Sequence, residues 1–160
     1  MNGPRDITLE FPRNDALAEP LDAFPIPECP DLGGPSVGKR EDGIAWKLRL
    51  HGTHVLIAGV TGAGKGSVLW SAIRPMLPAI ADGSAQVWGI DPKRMELACG
   101  RDLFARYADT GESSVALLEH AVAEMQECAE RKAGKRRSHT PTTADPFVVV
   151  VLVEVAFLTA

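Results

Sequence analysis

Hydrophobic positions along the chain predict an alternation of strands and helices from residue 43 onward. Residues 44–50 alternate between apolar and polar side chains, which is typical of a half-buried strand. The apolar runs 55–58 and 147–153 and the segment 86–91 predict strands of a buried parallel sheet. Together with two intervening helices, they predict an α/β layered fold in which helices flank a mostly parallel sheet.

Two segments have apolar residues at helical spacing. The first follows residue 65 and is expected to end or kink near Arg74, because Pro75 and Pro78 come next and an interior proline costs about 3 kcal/mol. The second is expected to begin at Ser113 or Ser114, which are good N-cap residues. Its apolar stripe consists of Val115, Leu118, Val122, Met125 and Ala129.

Prolines separate the start of the chain from the rest. Seven of the twelve prolines lie within residues 1–36, and proline fixes φ and removes a backbone donor. We therefore predict an irregular arm or linker over residues 1–42, followed by one domain over residues 43–160. Docking of the arm onto a neighbouring subunit is the functional alternative.

Composition narrows the class of protein. The 160 residues are 45% hydrophobic and 24% charged, as in an ordinary globular domain, and no apolar run approaches the roughly 20 residues that span a bilayer. Three dispersed cysteines without a CxxC pair argue against disulfides or a zinc site, and we expect a cytoplasmic protein. Because the net charge is −4, any DNA contact must come from a local patch or from an assembled ring.

Residues 59–65 match the phosphate-binding pattern G-x-x-x-x-G-K between a predicted strand and a predicted helix. Its three glycines, Gly59, Gly62 and Gly64, are expected to curl with φ > 0, so that backbone N–H groups and the helix N-terminus attract phosphates. Lys65 would reach the β- and γ-phosphate oxygens. The expected cofactors are ATP and Mg²⁺, and the predicted binding residues are Gly59, Val60, Thr61, Gly62, Ala63, Gly64, Lys65, Gly66 and Ser67.

One position departs from the pattern. The residue after the lysine is normally Ser or Thr, whose hydroxyl ligates Mg²⁺, whereas this chain has Gly66 followed by Ser67. Ser67 lies about 100° further round the helix, so we do not count it as a direct metal ligand.

The last predicted strand ends in Glu154. P-loop ATPases place an aspartate for the Mg²⁺ shell at the end of such a strand, often followed by a glutamate that activates water. Glu154 fits the glutamate position and is our second candidate catalytic residue beside Lys65, but Val153 occupies the aspartate position. The alternative is that Glu154 is an ordinary exposed carboxylate.

Segments 54–70, 90–97 and 147–160 resemble the FtsK/SpoIIIE DNA translocases, especially an actinobacterial branch that includes plasmid-transfer proteins. The resemblance covers residues 43–160, and its most specific part is Asp91-Pro92-Lys93 with Glu96-Leu97. It implies a RecA-like P-loop NTPase that forms a hexameric ring and pumps double-stranded DNA in chromosome segregation or conjugative plasmid transfer. The Gly66-Ser67 variant also resembles that branch.

Two departures limit what the resemblance implies. Val153 replaces the metal-shell aspartate, and the sequence stops at Ala160, where the family continues with a sensor, an arginine finger and further strands. One of those strands separates the P-loop strand from the acidic strand, so we expect a C-terminally incomplete domain with a gap in its sheet. The alternative is a catalytically inactive nucleotide-binding remnant of a truncated gene.

Two further possibilities are weaker. A small-molecule kinase would also use the glycine-rich pattern, but the chain has no arginine-rich lid segment and Asp91-Pro92-Lys93 favours the translocases. The basic run 131–137 could contact DNA phosphates, although a solvated loop after a helix C-terminus is the simpler interpretation. The four histidines show no metal-binding spacing.

Overall fold

A three-stranded parallel sheet forms the centre of the fold in the computed structural model, which describes residues 20–134 and 139–154. In chain order the elements are β1 (Ser36–Lys39), β2 (Ala45–Lys47), α1 (Lys65–Ile73), α2 (Leu77–Ala81), β3 (Ala85–Ile90), β4 (Arg106–Ala108), α3 (Gly111–Lys132) and β5 (Phe147–Leu152), with 3₁₀ helices at Arg74–Met76 and Ala98–Leu103. The sheet order is β4-β3-β5. The predicted mixed α/β fold with a parallel sheet and flanking helices is therefore confirmed.

β3 is the central strand, and every side chain on it except Gln86 is apolar or absent. It pairs with β5 over six residues, from Ala85 opposite Phe147 to Ile90 opposite Leu152, and with β4 over three. Two apolar clusters cover its faces. One contains Val87 with side chains of α1, α2 and β5, and the other contains Trp88 and Ile90 with Leu117 of α3.

α1 ends where the prolines predict. Its last residue is Ile73, Arg74 is the C-cap, and the chain continues as the 3₁₀ helix and then as α2. Ile73 and Met76 are 2% and 1% exposed, so the proline-rich continuation still packs on the sheet. No helix among the described residues is both long and apolar enough to cross a bilayer.

α3 begins at Gly111, slightly before the predicted serines, because Thr110 caps it. The Thr110 side chain accepts a hydrogen bond from the Ser113 N–H, and the Ser113 hydroxyl accepts one from the Thr110 N–H. The predicted apolar stripe faces solvent: Val115, Leu118, Val122 and Met125 are 37–62% exposed, and Ala129 is also exposed. Ser114 and Leu117 face the sheet instead.

A short antiparallel hairpin precedes the P-loop segment. β1 lies inside the stretch that we predicted as an irregular arm, and it pairs with β2. Pro35 and Gly33 extend the pairing by accepting hydrogen bonds from the N–H groups of Leu48 and Leu50. The predicted strand over 44–50 is regular only in its β2 part, which is exposed on both faces.

The prediction of a strand at residues 55–58 is wrong. These residues form no strand, and Val55 and Leu56 are 41% and 84% exposed. An extended run becomes a strand only when a neighbour takes its N–H and C=O groups. Among the described strands β5 pairs with β3 alone, and none pairs with residues 55–58.

Candidate functional site

The glycine-rich loop turns sharply into α1. Gly62 and Gly64 have φ of 81° and 82°, in the left-handed region where side chains are disfavoured, and Gly64 is the N-cap of α1. Gly59 does not have positive φ, so that expectation was wrong for one of the three glycines. Its role is close approach: a Cβ on Gly59 would lie 3.2 Å from the Ala63 Cβ and 3.7 Å from the Lys65 Cγ.

Lys65 folds back over this loop. Its ammonium donates hydrogen bonds to the carbonyl oxygens of Gly59 at 2.9 Å and Val60 at 3.1 Å. The first turn of α1 contains no acidic residue, and no side chain caps its N–H groups. A cation and the positive end of a helix dipole therefore meet beside exposed glycine backbone, which is an arrangement suited to phosphate.

The loop that follows β3 is organised by Asp91, which is fully buried. Its Oδ2 accepts hydrogen bonds from the Leu97 N–H at 2.9 Å and from the Tyr107 hydroxyl at 3.3 Å. Oδ1 is buried and has no hydrogen-bond partner among the described residues. Burial, together with the Asp91 charge, raises the pKa of Tyr107. Asp91 thus fixes both ends of the 91–97 loop.

The predicted catalytic residue Glu154 forms an ion pair with Lys93, which lies in the 91–97 loop. The Lys93 Nζ and Glu154 Oε2 are 2.9 Å apart, and both side chains are nearly half exposed. Glu154 has φ of 57°, which is uncommon for a residue other than glycine. A half-exposed ion pair contributes about 0–1 kcal/mol to stability, so the main effect of the contact is to orient the carboxylate.

A second acidic residue of the loop lies against α1. A Cβ on Gly66 would be only 2.7 Å from the Glu96 Oε2, so a side chain at position 66 would displace that carboxylate. Within the described residues no group of three or more His, Cys, Asp or Glu could hold a metal alone. Mg²⁺ in nucleotide sites, however, commonly takes one or two carboxylates and completes its shell with phosphates and water. The donors here fit a metal that arrives with a nucleotide.

An apolar cleft lies beside the glycine-rich loop. Its volume is about 300 Å³, and its walls include Trp46, Leu48, Ile57, Ala63 and Val68. Lys65 also lines it. The cleft therefore offers apolar surface next to the cation.

The structure brings some of the predicted residues together and separates others. Lys65 contacts Gly59 and Val60, whereas Glu154 contacts Lys93, so the two catalytic candidates do not pair with each other. Thr61 and Ser67 are exposed. Our site prediction omitted Asp91, Lys93 and Glu96. They could have been predicted as site residues because they lie in the 91–97 segment, which is the most specific part of the resemblance described above.

The basic run is partly neutralised where the structure describes it. Arg131 and Lys132 lie 3.5 Å and 2.9 Å from the Asp145 carboxylate, and residues 135–138 lie outside the described residues. The hydrogen bond from Lys132 lowers the pKa of Asp145. Two of the cations that could have contacted DNA thus already have an acidic partner, which agrees with the simpler interpretation of this segment.

Comparison with protein-family models, curated proteins and solved structures gave no significant match.

Proposed function

We propose that the chain binds Mg²⁺–ATP as a P-loop NTPase domain with a RecA-like fold, and that it works within a double-stranded DNA translocase of the FtsK/SpoIIIE type. The observation that carries the proposal is the arrangement of Lys65 at the N-terminus of α1, after two left-handed glycines. Exposed N–H groups, a helix dipole and a cation converge there, as binding of a polyphosphate requires.

The neighbouring residues supply the remaining parts. In the bound state Lys65 would exchange its carbonyl partners at Gly59 and Val60 for phosphate oxygens. The apolar cleft beside Trp46 would take the base. Bound Mg²⁺ would neutralise charge on the phosphates. Glu154, oriented by Lys93, would be the group that accepts a proton from the attacking water.

The DNA-pumping part of the proposal is supported by the resemblance of segments 54–70, 90–97 and 147–160 to the translocases. The net charge of −4 and the pairing of Arg131 and Lys132 with Asp145 do not favour DNA binding by a single copy. The proposal therefore includes a homo-oligomeric ring, hexameric as in the family, in which several copies together form the DNA-binding surface.

A binding experiment tests the nucleotide site. We expect Lys65→Ala to weaken the binding of a fluorescent ATP analogue about tenfold or more, because one strong charge-assisted contact to the terminal phosphates is lost. Lys39→Ala is the matched control, since Lys39 is an exposed lysine at the end of β1. Equal affinities of the wild type and Lys65→Ala would contradict the assignment.

Nucleotide binding without hydrolysis is the second candidate function. Val153 would stand at the metal-shell position, where its apolar side chain has no oxygen to offer a metal; its N–H donates a hydrogen bond to the Ile90 carbonyl. Position 66 likewise lacks a hydroxyl. Both features favour a site that holds the nucleotide and hydrolyses it poorly.

A further inference from the structure

We propose that Glu96 supplies the protein oxygen for the Mg²⁺ of the bound nucleotide, in the place where a Ser or Thr hydroxyl at position 66 would do so. The inference rests on the proposed nucleotide-binding function and names a ligand that the phosphate-binding pattern does not contain. It also places that carboxylate in the space that glycine leaves open at position 66.

The carboxylate of Glu96 lies in the space next to Gly66. The hydroxyl of the usual Ser or Thr is attached to Cβ, and a Cβ built on Gly66 lies 2.7 Å from the Glu96 Oε2. An oxygen of Glu96 therefore already lies beside the point from which the motif hydroxyl would project. The missing side chain and the incoming carboxylate are complementary, because any Cβ there would force the carboxylate to move.

The backbone around Glu96 holds it there. The Trp70 indole N–H donates to the Glu96 carbonyl oxygen at 3.3 Å, and Trp70 lies one helical turn after Gly66 on α1. On the other side Leu97 is fully buried, and its N–H donates to Asp91 Oδ2. Both flanks of Glu96 are thus anchored, while its side chain remains exposed at the N-terminus of α1.

The negative charge of Glu96 should affect nucleotide binding differently with and without Mg²⁺. A carboxylate at a helix N-terminus is favourable by itself, but it repels the phosphates of a nucleotide that binds to the same end. A divalent cation between the two groups reverses this relation, because carboxylate and phosphate oxygens are both ligands that Mg²⁺ prefers. Glu96 should therefore oppose metal-free nucleotide and favour the Mg²⁺ complex.

The experiment compares the affinity for a fluorescent ATP analogue in EDTA with the affinity at saturating Mg²⁺. In Glu96→Gln we expect the gain from Mg²⁺ to fall at least about tenfold, since even outer partners of metal ligands are worth that much. Affinity in EDTA should stay unchanged or rise. Asp102→Asn is the matched control, because it removes the same charge from an exposed site on the Ala98–Leu103 helix.

A ligand exchange adds a second measurement. Glu96→Ala should lose the Mg²⁺ gain, and the double variant Glu96→Ala with Gly66→Ser should recover part of it, since the hydroxyl then has both space and a metal to bind. An unchanged Mg²⁺ gain in Glu96→Gln would overturn the role of Glu96, and so would an equal loss of affinity with and without metal. No binding by the wild type at all would instead overturn the proposed function.

Discussion

Asp91 holds the loop that borders the candidate site. It is fully buried, and the same oxygen accepts hydrogen bonds from the Leu97 N–H and the Tyr107 hydroxyl. The loop that it closes carries Lys93 to Glu154 and Glu96 to Gly66. The sequence identifies the residues of this segment but not their individual roles. Asp91 is a buried hydrogen-bond acceptor and Lys93 is part of an exposed ion pair, yet both are simply polar positions in the sequence.

We expect Asp91→Ala to lower the free energy of unfolding by about 1–3 kcal/mol, because the Leu97 N–H and the Tyr107 hydroxyl would lose their acceptor inside the protein. Denaturant titration measures the change. Asp102→Asn, on an exposed carboxylate, should leave stability within about 0.5 kcal/mol. An Asp91→Ala variant as stable as the control would show that the loop does not depend on this contact.

At the level of elements, α3 shows where periodicity alone misleads. The spacing correctly predicts a helix, but the apolar stripe from Val115 to Met125 lies outside. The inner face is set by Trp88, whose ring stacks on His120 at 5.2 Å between centroids, and by Leu117 and Ala121, which pack on the same cluster. Apolar spacing alone does not show which face of a helix packs on the sheet when the other face carries small or partly polar residues such as Ala121 and His120.

The two faces of α3 can be separated by substitution. Leu117→Ala should cost about 2–5 kcal/mol, as truncations of buried leucine do, because its side chain packs in the cluster beneath the helix. Val122→Ala should change stability by less than about 0.5 kcal/mol, since Val122 is 48% exposed. Thermal or denaturant unfolding measures both, and the opposite ranking would mean that the stripe is the packed face.

At the level of the whole molecule, the sheet could be predicted better than the surroundings of the P-loop. The runs that became β3 and β5 are strands because each has a neighbour in register, and the prolines after Ile73 ended α1 where expected. Residues 55–58 are equally apolar but have no neighbouring strand among those described. Sequence specifies which residues are able to form a strand, whereas pairing depends on what lies beside them.

The exposed apolar segment before the P-loop should make the chain self-associate. Leu56 and Val60 are 84% and 79% exposed, and the outer edge of β5 has no partner among the described strands. Unpaired edges and extended apolar segments of this kind promote aggregation. Sedimentation velocity should show concentration-dependent association that Leu56→Lys reduces. A wild-type protein that stays monomeric throughout would contradict the expectation.

We do not expect this chain to hydrolyse ATP. It has Lys65 and Glu154 but no hydroxyl at position 66 and no carboxylate at position 153, and both of these groups normally help to hold the catalytic Mg²⁺. We expect no phosphate release above background, with or without DNA. Val153→Asp should strengthen Mg²⁺-dependent binding without restoring turnover. DNA-stimulated turnover by the unmodified chain would show that the role of Val153 has been misjudged.

The central position of β3 has a consequence for how the molecule opens. β3 is the one described strand that has neighbours on both sides, and the loop carrying Asp91, Lys93 and Glu96 continues directly from it. Amide hydrogens of such a strand exchange with solvent only when the sheet itself separates, whereas those of residues 55–58 have no ladder to protect them. Deuterium uptake in β3 would therefore report global unfolding, and a ligand held by the adjoining loop would slow it.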